Sequence, residues 1–136
     1  MNAIRYRKGY KYQLAEDYHS TTRLRPDHVI DTRYIGLHPD GNLTVRSGYA
    51  WDGASGPTID TKNCLRGSLA HDVKYQLIRS GLLSYCSKVI ADEELHEDLL
   101  ADGMNKWRAW VWWYSVDAFG RRSLSPSDEP MVWVAP

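Results

Sequence analysis

Two adjacent residues, His71 and Asp72, carry the clearest chemical signal in the sequence. A neutral imidazole can accept a proton from water, and a neighbouring carboxylate can bind a cation or orient the ring. A second carboxylate, Asp92, lies on the next predicted helix, and Tyr75 follows His71 by about one helical turn. These side chains predict a small site that combines a general base, an orienting carboxylate and an oxygen ligand.

The predicted roles of the four residues differ. Asp92 is expected to hydrogen-bond one ring nitrogen of His71 and to leave the other nitrogen free to activate a water molecule. Tyr75 is expected to donate a hydrogen bond to Asp92 and hold its carboxylate. Asp72 points about 100° away from His71 round the helix, so it is expected to face the loop upstream. The candidate catalytic residues are therefore His71, Asp92 and Tyr75.

The loop upstream covers residues 48–57 and has the sequence Gly-Tyr-Ala-Trp-Asp-Gly-Ala-Ser-Gly-Pro. Calcium prefers oxygen ligands, which carboxylates and backbone carbonyls supply. A bound calcium ion would polarise a carbonyl or phosphoryl oxygen while His71 delivers water. Calcium is the one cofactor that the sequence suggests, and its candidate ligands are Asp72, Asp52, Gly53 and Ser55.

Each of these features also has a structural explanation. His71 can join two helices by hydrogen bonding to Asp92, and Asp72 can cap a helix or tether a loop. The Asp-Gly pair at residues 52–53 is typical of an ordinary turn. The sequence leaves the catalytic and the structural interpretations open.

Length and composition favour a single domain over residues 1–136. Basic and acidic residues number 17 each, and the resulting net charge of zero argues against a nucleic-acid partner. The two cysteines, Cys64 and Cys86, are too few for a disulfide framework, and we expect free thiols. No apolar stretch reaches the roughly 18 residues of a membrane span, and no secretory leader is evident.

The expected fold class is α+β, with a small antiparallel N-terminal sheet packed against about three C-terminal helices. Residues 1–57 are predicted to be mainly strands and the glycine-rich loop, residues 61–120 helical, and residues 121–136 a tail with an extended piece at 131–134. Strand-forming runs occur at 10–14 and 29–35. The Pro-Asp-Gly turn at 39–41 predicts a hairpin of residues 33–37 with 42–46.

The helical half is predicted from apolar spacing and from helix-ending glycines. A stripe at i+4 spacing marks the buried face of the first helix, which Thr61 or Asn63 is expected to cap. The stripe consists of Leu65, Leu69, Val73 and Leu77. The predicted helices cover residues 61–80, 88–102 and 105–119. The glycines expected to end them are Gly81, Gly103 and Gly120.

The third predicted helix contains four of the six tryptophans and is apolar nearly all round. Such a helix is typical of a central core position, packed on both sides. The alternative is an interfacial helix on a lipid surface or a partner protein. Because the polar face of an interfacial helix is nearly absent, membrane contact through residues 106–119 is the less favoured interpretation.

Over about residues 30–120 the chain resembles an uncharacterised family of small phage and prophage proteins. The resemblance rests on the Asp-Gly-Ala-Ser loop at 52–55, the His-Asp-x-x-Tyr helix at 71–75, the Ala-Asp pair at 91–92 and the Trp-Arg-Ala segment at 107–109. It implies a phage origin, and therefore a location in the host cytoplasm or in the virion. It implies no particular activity.

The helix pair is also similar, over about 30 residues, to the core of phospholipase A-two. That family's histidine activates water, its adjacent aspartate and a glycine-rich loop bind calcium, and a tyrosine and a later aspartate support the histidine. The resemblance gives these roles to His71, Asp72, the loop around residues 53–56, Tyr75 and Asp92. The cysteines that flank the family's His-Asp motif are absent here.

Together these observations suggest a small phage-encoded protein that hydrolyses an ester or phosphoester with calcium and a His–Asp site. The alternative is a non-enzymatic virion or tail component, or a protein that binds a host factor, in which the His–Asp pair is structural. The expected partner is thus either a small ester or phosphoester substrate or another protein.

Overall fold

The computed structural model describes the backbone of residues 6–7, 12–51 and 62–123. It describes side chains for residues 12–51 and 62–118. The described residues fall into two compact units, one ending at Trp51 and the other beginning at Lys62. The first unit consists of strands and the second of helices, so the predicted α+β class is confirmed. The predicted extended piece at 131–134 and most of the glycine-rich loop lie outside the described residues.

The first unit contains two small antiparallel sheets instead of the single predicted sheet. One sheet has the strand order β1-β2-β7 and the other has the order β3-β6-β5-β4. The strands are β1 (Tyr6–Arg7), β2 (Tyr12–Leu14), β3 (Tyr18–Thr21), β4 (Ile30–Asp31), β5 (Ile35–Leu37), β6 (Asn42–Val45) and β7 (Ala50–Trp51).

The predicted hairpin is present as β5 and β6, with Gly36 opposite Thr44 and Leu37 opposite Leu43. Its turn requires Gly41, whose φ of +91° is in the left-handed region that side chains other than glycine rarely adopt. Asp40 accepts a hydrogen bond from the backbone N–H of Asn42 at 3.0 Å. The Pro-Asp-Gly sequence therefore predicted this turn for the correct physical reason.

Alternation along β5 and β6 defines the buried face of the larger sheet. Ile35, Leu37, Leu43 and Val45 are buried, while Gly36 and Thr44 between them are only partly so. The predicted strand at 29–35 is instead two strands, because Thr32 turns the chain. Its backbone N–H donates to the carbonyl of Ile35, and its hydroxyl accepts from the Ile35 N–H at 3.1 Å.

The second unit consists of a short 3-10 turn (Lys62–Cys64) and the helices α1 (Leu65–Arg79), α2 (Ser87–Ala101) and α3 (Lys106–Ser123). The predicted ends of α1 and α2 are confirmed, because Gly81 and Gly103 have φ values of +77° and +93°. Cys64, with no side-chain cap, is the N-cap residue of α1, so the predicted cap at Asn63 is wrong, and Thr61 lies outside the described residues.

The prediction that Gly120 ends the third helix is wrong, because α3 continues to Ser123. Glycine inside a helix costs only about 1 kcal/mol relative to alanine, which the rest of a long helix can offset. The predicted beginning is confirmed, since Asn105 accepts a hydrogen bond from the Arg108 N–H at 3.1 Å and so caps the helix.

The predicted apolar stripe of α1 is confirmed, since Leu65, Leu69, Val73 and Leu77 are all buried. Gly67 lies at a close approach between α1 and α2. A Cβ atom at this position would lie 3.2 Å from Leu95 Cδ1 and 3.3 Å from Leu99 Cδ2. Glycine therefore lets the two helices pack more closely than a larger residue would.

The third helix is not packed on both sides as predicted. Ala109 and Trp112 are buried in a cluster with Leu95 and Leu99 of α2, whereas Trp107, on the opposite face, is 71 % exposed. One face of α3 thus joins the helical core and the other meets solvent. Within the described ranges, no helix is both long and apolar enough to cross a membrane.

Candidate functional site

The Asp92 carboxylate on α2 is the centre of the candidate site. It is 2 % exposed and contacts three side chains. Its Oδ1 atom lies 2.8 Å from His71 Nε2 and accepts a hydrogen bond from the Tyr75 hydroxyl at 2.6 Å. Its Oδ2 atom accepts a hydrogen bond from Lys88 Nζ at 2.7 Å. These contacts satisfy a charge whose burial would otherwise be very costly.

Helical spacing explains how the groups meet. His71 and Tyr75 are four residues apart on α1, so they lie on one face, and their ring centroids are 4.0 Å apart. Lys88 and Asp92 have the same spacing on α2. Packing of α1 against α2 then brings the two faces together. The structure thus brings together all three predicted catalytic residues, His71, Asp92 and Tyr75.

The contact with Asp92 determines the tautomer of His71. An ionised carboxylate can only accept a hydrogen bond, so Nε2 carries a proton and donates it to Asp92. In the neutral imidazole, Nδ1 then carries the lone pair. Nδ1 lies 3.9 Å from Asp72 Oδ1, which is a charge contact beyond hydrogen-bond distance.

The electrostatics of the cluster favour its charged forms. Burial by itself lowers the pKa of His71, but the carboxylates of Asp72 and Asp92 more than offset this and raise the pKa above 6.5. Burial raises the pKa of Asp92, but the hydrogen bonds from His71, Lys88 and Tyr75 lower it below 3.8. Burial and Asp92 raise the pKa of Tyr75 far above 10, so its hydroxyl stays a donor.

Lys88 is a part of the cluster that sequence reasoning missed. It is 5 % exposed, and its Nζ lies 3.6 Å from Asp117 Oδ1 and 3.5 Å from the Asp117 carbonyl on α3. Lys88 therefore connects the His–Asp site to the third helix. The i,i+4 spacing of Lys88 and Asp92 was the available signal, because opposite charges at that spacing commonly pair.

Two further ion-pair groups join α1 to α2. Lys74 pairs with Glu94 at 2.9 Å, and both side chains are buried. Arg66 contacts Asp98 at 3.3 Å and Asp102 at 2.9 Å. The helix pair thus has polar contacts at several levels, and the His–Asp site is one of them.

Asp72 is the more exposed of the two carboxylates beside His71, with a side chain 37 % exposed. An exposed carboxylate suits a calcium ligand chemically, but calcium takes about 6–8 oxygen ligands. No group of three or more His, Cys, Asp or Glu side chains within 12–51 and 62–118 could hold a metal. The other predicted ligands, Asp52, Gly53 and Ser55, lie outside the described residues. Asp72 alone supplies too few oxygen ligands for calcium.

Both cysteines of the helical unit are thiols and not part of a disulfide, Cys64 buried and Cys86 exposed, as the sequence predicted. Neither contributes to the candidate site.

Comparisons of the chain with protein-family models, with curated proteins and with solved structures found no match.

Replacement of Asp92 by alanine should destabilise the protein by about 3–5 kcal/mol, because it leaves Lys88 as a buried charge without its main partner.

Tyr75→Phe should lower the free energy of unfolding by about 1.5–3 kcal/mol, the range for a hydrogen bond to a charged acceptor. Urea unfolding of the variants measures both changes. The control, Glu97→Ala on the exposed side of α2, should change the unfolding free energy by less than about 1 kcal/mol. Equal effects for Asp92→Ala and the control would contradict the prediction.

The pKa shifts predict how stability depends on pH. The raised pKa of His71 contributes stability that is fully present below pH 6.5 and is lost as the pH rises through the folded-state value. The lowered pKa of Asp92 contributes stability that is present above pH 3.8 and is lost as the pH falls through its folded-state value. The difference in unfolding free energy between wild type and His71→Gln should therefore be larger near pH 5.5 than near pH 9. A difference that grows with pH would show that the sign is wrong.

Proposed function

We propose that this protein is a small phage-encoded hydrolase of ester or phosphoester bonds that uses His71 as its general base. The observation that supports this most directly is the contact of Asp92 with Nε2 of His71. It fixes the tautomer in which Nδ1 can accept a proton. Tyr75, bonded to the same carboxylate oxygen, holds Asp92 in place.

In the proposed reaction, Nδ1 of neutral His71 takes a proton from a water molecule as its oxygen attacks the carbonyl carbon or phosphorus. Asp92 stabilises the resulting imidazolium through Nε2. The imidazolium then returns its proton to the leaving oxygen as the ester bond breaks. Water is thereby divided between the acid and alcohol products, and His71 ends in its starting form.

Calcium enters the proposal through Asp72. Bound by this carboxylate and by the predicted loop ligands Asp52, Gly53 and Ser55, calcium would supply a Lewis acid for the substrate oxygen. The negative charge of Asp72 lies 3.9 Å from Nδ1 of His71 and raises the pKa of the ring. A cation at Asp72 would oppose this effect and favour the neutral imidazole that the reaction needs.

A second candidate function is non-enzymatic: a virion or tail component, or a protein that binds a host factor. The observation that favours it is burial, since His71 is only 6 % exposed and Lys88 occupies the second oxygen of Asp92. Under this alternative the cluster only joins the helices.

The hydrolase proposal predicts the effect of His71→Ala on turnover. With phospholipids, phosphodiesters and activated esters as substrates, turnover should fall about 10²–10⁴-fold, the contribution of a positioned general base. His28→Ala, at an exposed histidine of the sheet unit, is the control and should retain wild-type turnover. Because only the neutral ring accepts a proton, turnover should rise as the pH increases and the ring loses its proton. If His71→Ala and Asp72→Asn fold normally and leave every measured activity unchanged, the proposal fails.

Calcium binding can be measured separately by calorimetry. We expect wild type to bind calcium with micromolar to low-millimolar affinity, and Asp72→Asn to lose that binding because the amide lacks the negative charge. Asp31→Asn, at an exposed aspartate of the sheet unit, serves as the matched control and should bind as wild type does. Absence of calcium binding by wild type would remove the metal from the proposal, and equal binding by Asp72→Asn would place the ion elsewhere.

A further inference from the structure

Three aromatic side chains of α3 form an exposed stripe made of Trp107, Trp110 and Tyr114. Their exposed fractions are 71 %, 45 % and 55 %. The rings of Trp107 and Trp110 stack with centroids 5.4 Å apart, and the rings of Trp110 and Tyr114 do the same. Tryptophan and tyrosine are enriched in protein interfaces, and the largest apolar patch on a monomer is often functional. The stripe is therefore a candidate surface for a partner.

The charges beside the stripe indicate which partner it fits. Lys106 and Asp117 are eleven residues apart, so at 100° per residue they lie within about 20° of each other on the same flank. Lys106 is exposed, and the Asp117 side chain is 45 % exposed, although its Oδ1 also lies 3.6 Å from Lys88 Nζ. The flank thus carries a positive charge near the start of the stripe and a negative charge near its end.

This charge pattern is complementary to itself when two helices run antiparallel. A two-fold axis perpendicular to both helices keeps the same flank of each copy on the same side of the contact. If Trp107 lies opposite Tyr114 of a second copy, Lys106 lies about 3 Å along the helix axis from the second copy's Asp117. The pairing occurs twice. The net charge of zero adds no long-range repulsion between copies.

We propose that the exposed stripe of α3 is a homodimer interface, in which two copies pack antiparallel and pair Lys106 with Asp117 across the two-fold axis. The three side chains offer on the order of 300–400 Å² per copy. Two copies would bury on the order of 600–800 Å² through the stripe alone, below the roughly 1,200 Å² of small stable interfaces. The dimer should accordingly be weak and depend on protein concentration. This inference does not rest on the proposed hydrolase activity.

Sedimentation velocity of the full chain, over about 5–500 µM, tests the proposal. Wild type should shift from monomer to dimer within this range. The double substitution Trp107→Ser and Trp110→Ser should remain monomeric throughout. Val89→Ser removes a 61 % exposed apolar side chain from α2 and should dimerise as wild type does. Circular dichroism verifies that each variant keeps its helices.

The charge pairing is tested by Lys106→Glu. It replaces two attractive contacts per dimer by two repulsive ones and should raise the dissociation constant about tenfold. A glutamate in the first turn of α3 also suits the helix dipole, so folding should not suffer. Arg23→Glu makes the same charge change at an exposed position of the sheet unit and should have no effect.

Three results would overturn the proposal. Wild type could remain monomeric at every concentration. This result would overturn the dimer even if the stripe binds lipid vesicles or another protein. The tryptophan substitutions could leave dimerisation unchanged, which would place the interface elsewhere. Lys106→Glu could dimerise as well as wild type, which would exclude the antiparallel arrangement.

Discussion

The packing of α1 against α2 depends on one buried carboxylate, that of Asp92. A charge this deep is tolerated only when hydrogen bonds and an opposite charge replace its lost water. His71 and Tyr75 supply two hydrogen bonds from α1, and Lys88 supplies the charge from α2. The two contacts from α1 fix how far α1 can slide along α2, since a shift of one turn would leave Asp92 without His71 and Tyr75. The polar cluster therefore selects one helix arrangement among those that apolar packing would allow.

Apolar packing and polar contacts act together in this helix pair. Gly67 permits close contact of α1 with Leu95 and Leu99, and that closeness brings His71 within 2.8 Å of Asp92. Lys88 then extends the cluster to Asp117, so the third helix is linked to the same buried charge. The residues of the candidate site are thus also the residues that join the helices.

Much of this arrangement could be predicted from local spacing. The i+4 relation of His71 to Tyr75, and the position of Asp92 on the apolar face of the next helix, were sufficient to predict their meeting. The turn at Gly41 and the ends of α1 and α2 followed from glycine's access to positive φ. The α+β class followed from the separation of strand-like and helix-like segments.

The two wrong predictions for α3 concern tertiary packing, which the spacing of apolar residues along the sequence does not determine. The apolar character of α3 predicted burial on both sides, but only the face with Ala109 and Trp112 has a partner within the helical core. Composition identifies apolar side chains, not the number of neighbours available to cover them. Glycine is a residue type that often ends a helix, but at Gly120 its cost of about 1 kcal/mol relative to alanine did not end α3.

The position of Lys88 changes how the His–Asp pair is understood. Asp92 shares its negative charge between the imidazole and an ammonium group, so it stabilises the imidazolium less than an unpaired carboxylate would. Asp72, 3.9 Å from Nδ1 and more exposed, also raises the pKa of His71. Asp92, which orients the ring, is thus buried, and Lys88 balances its charge. Asp72, at the other ring nitrogen, is accessible to solvent and to cations. The contact with Asp92 thus orients His71, whereas the charge of Asp72 contributes to the raised pKa of the ring.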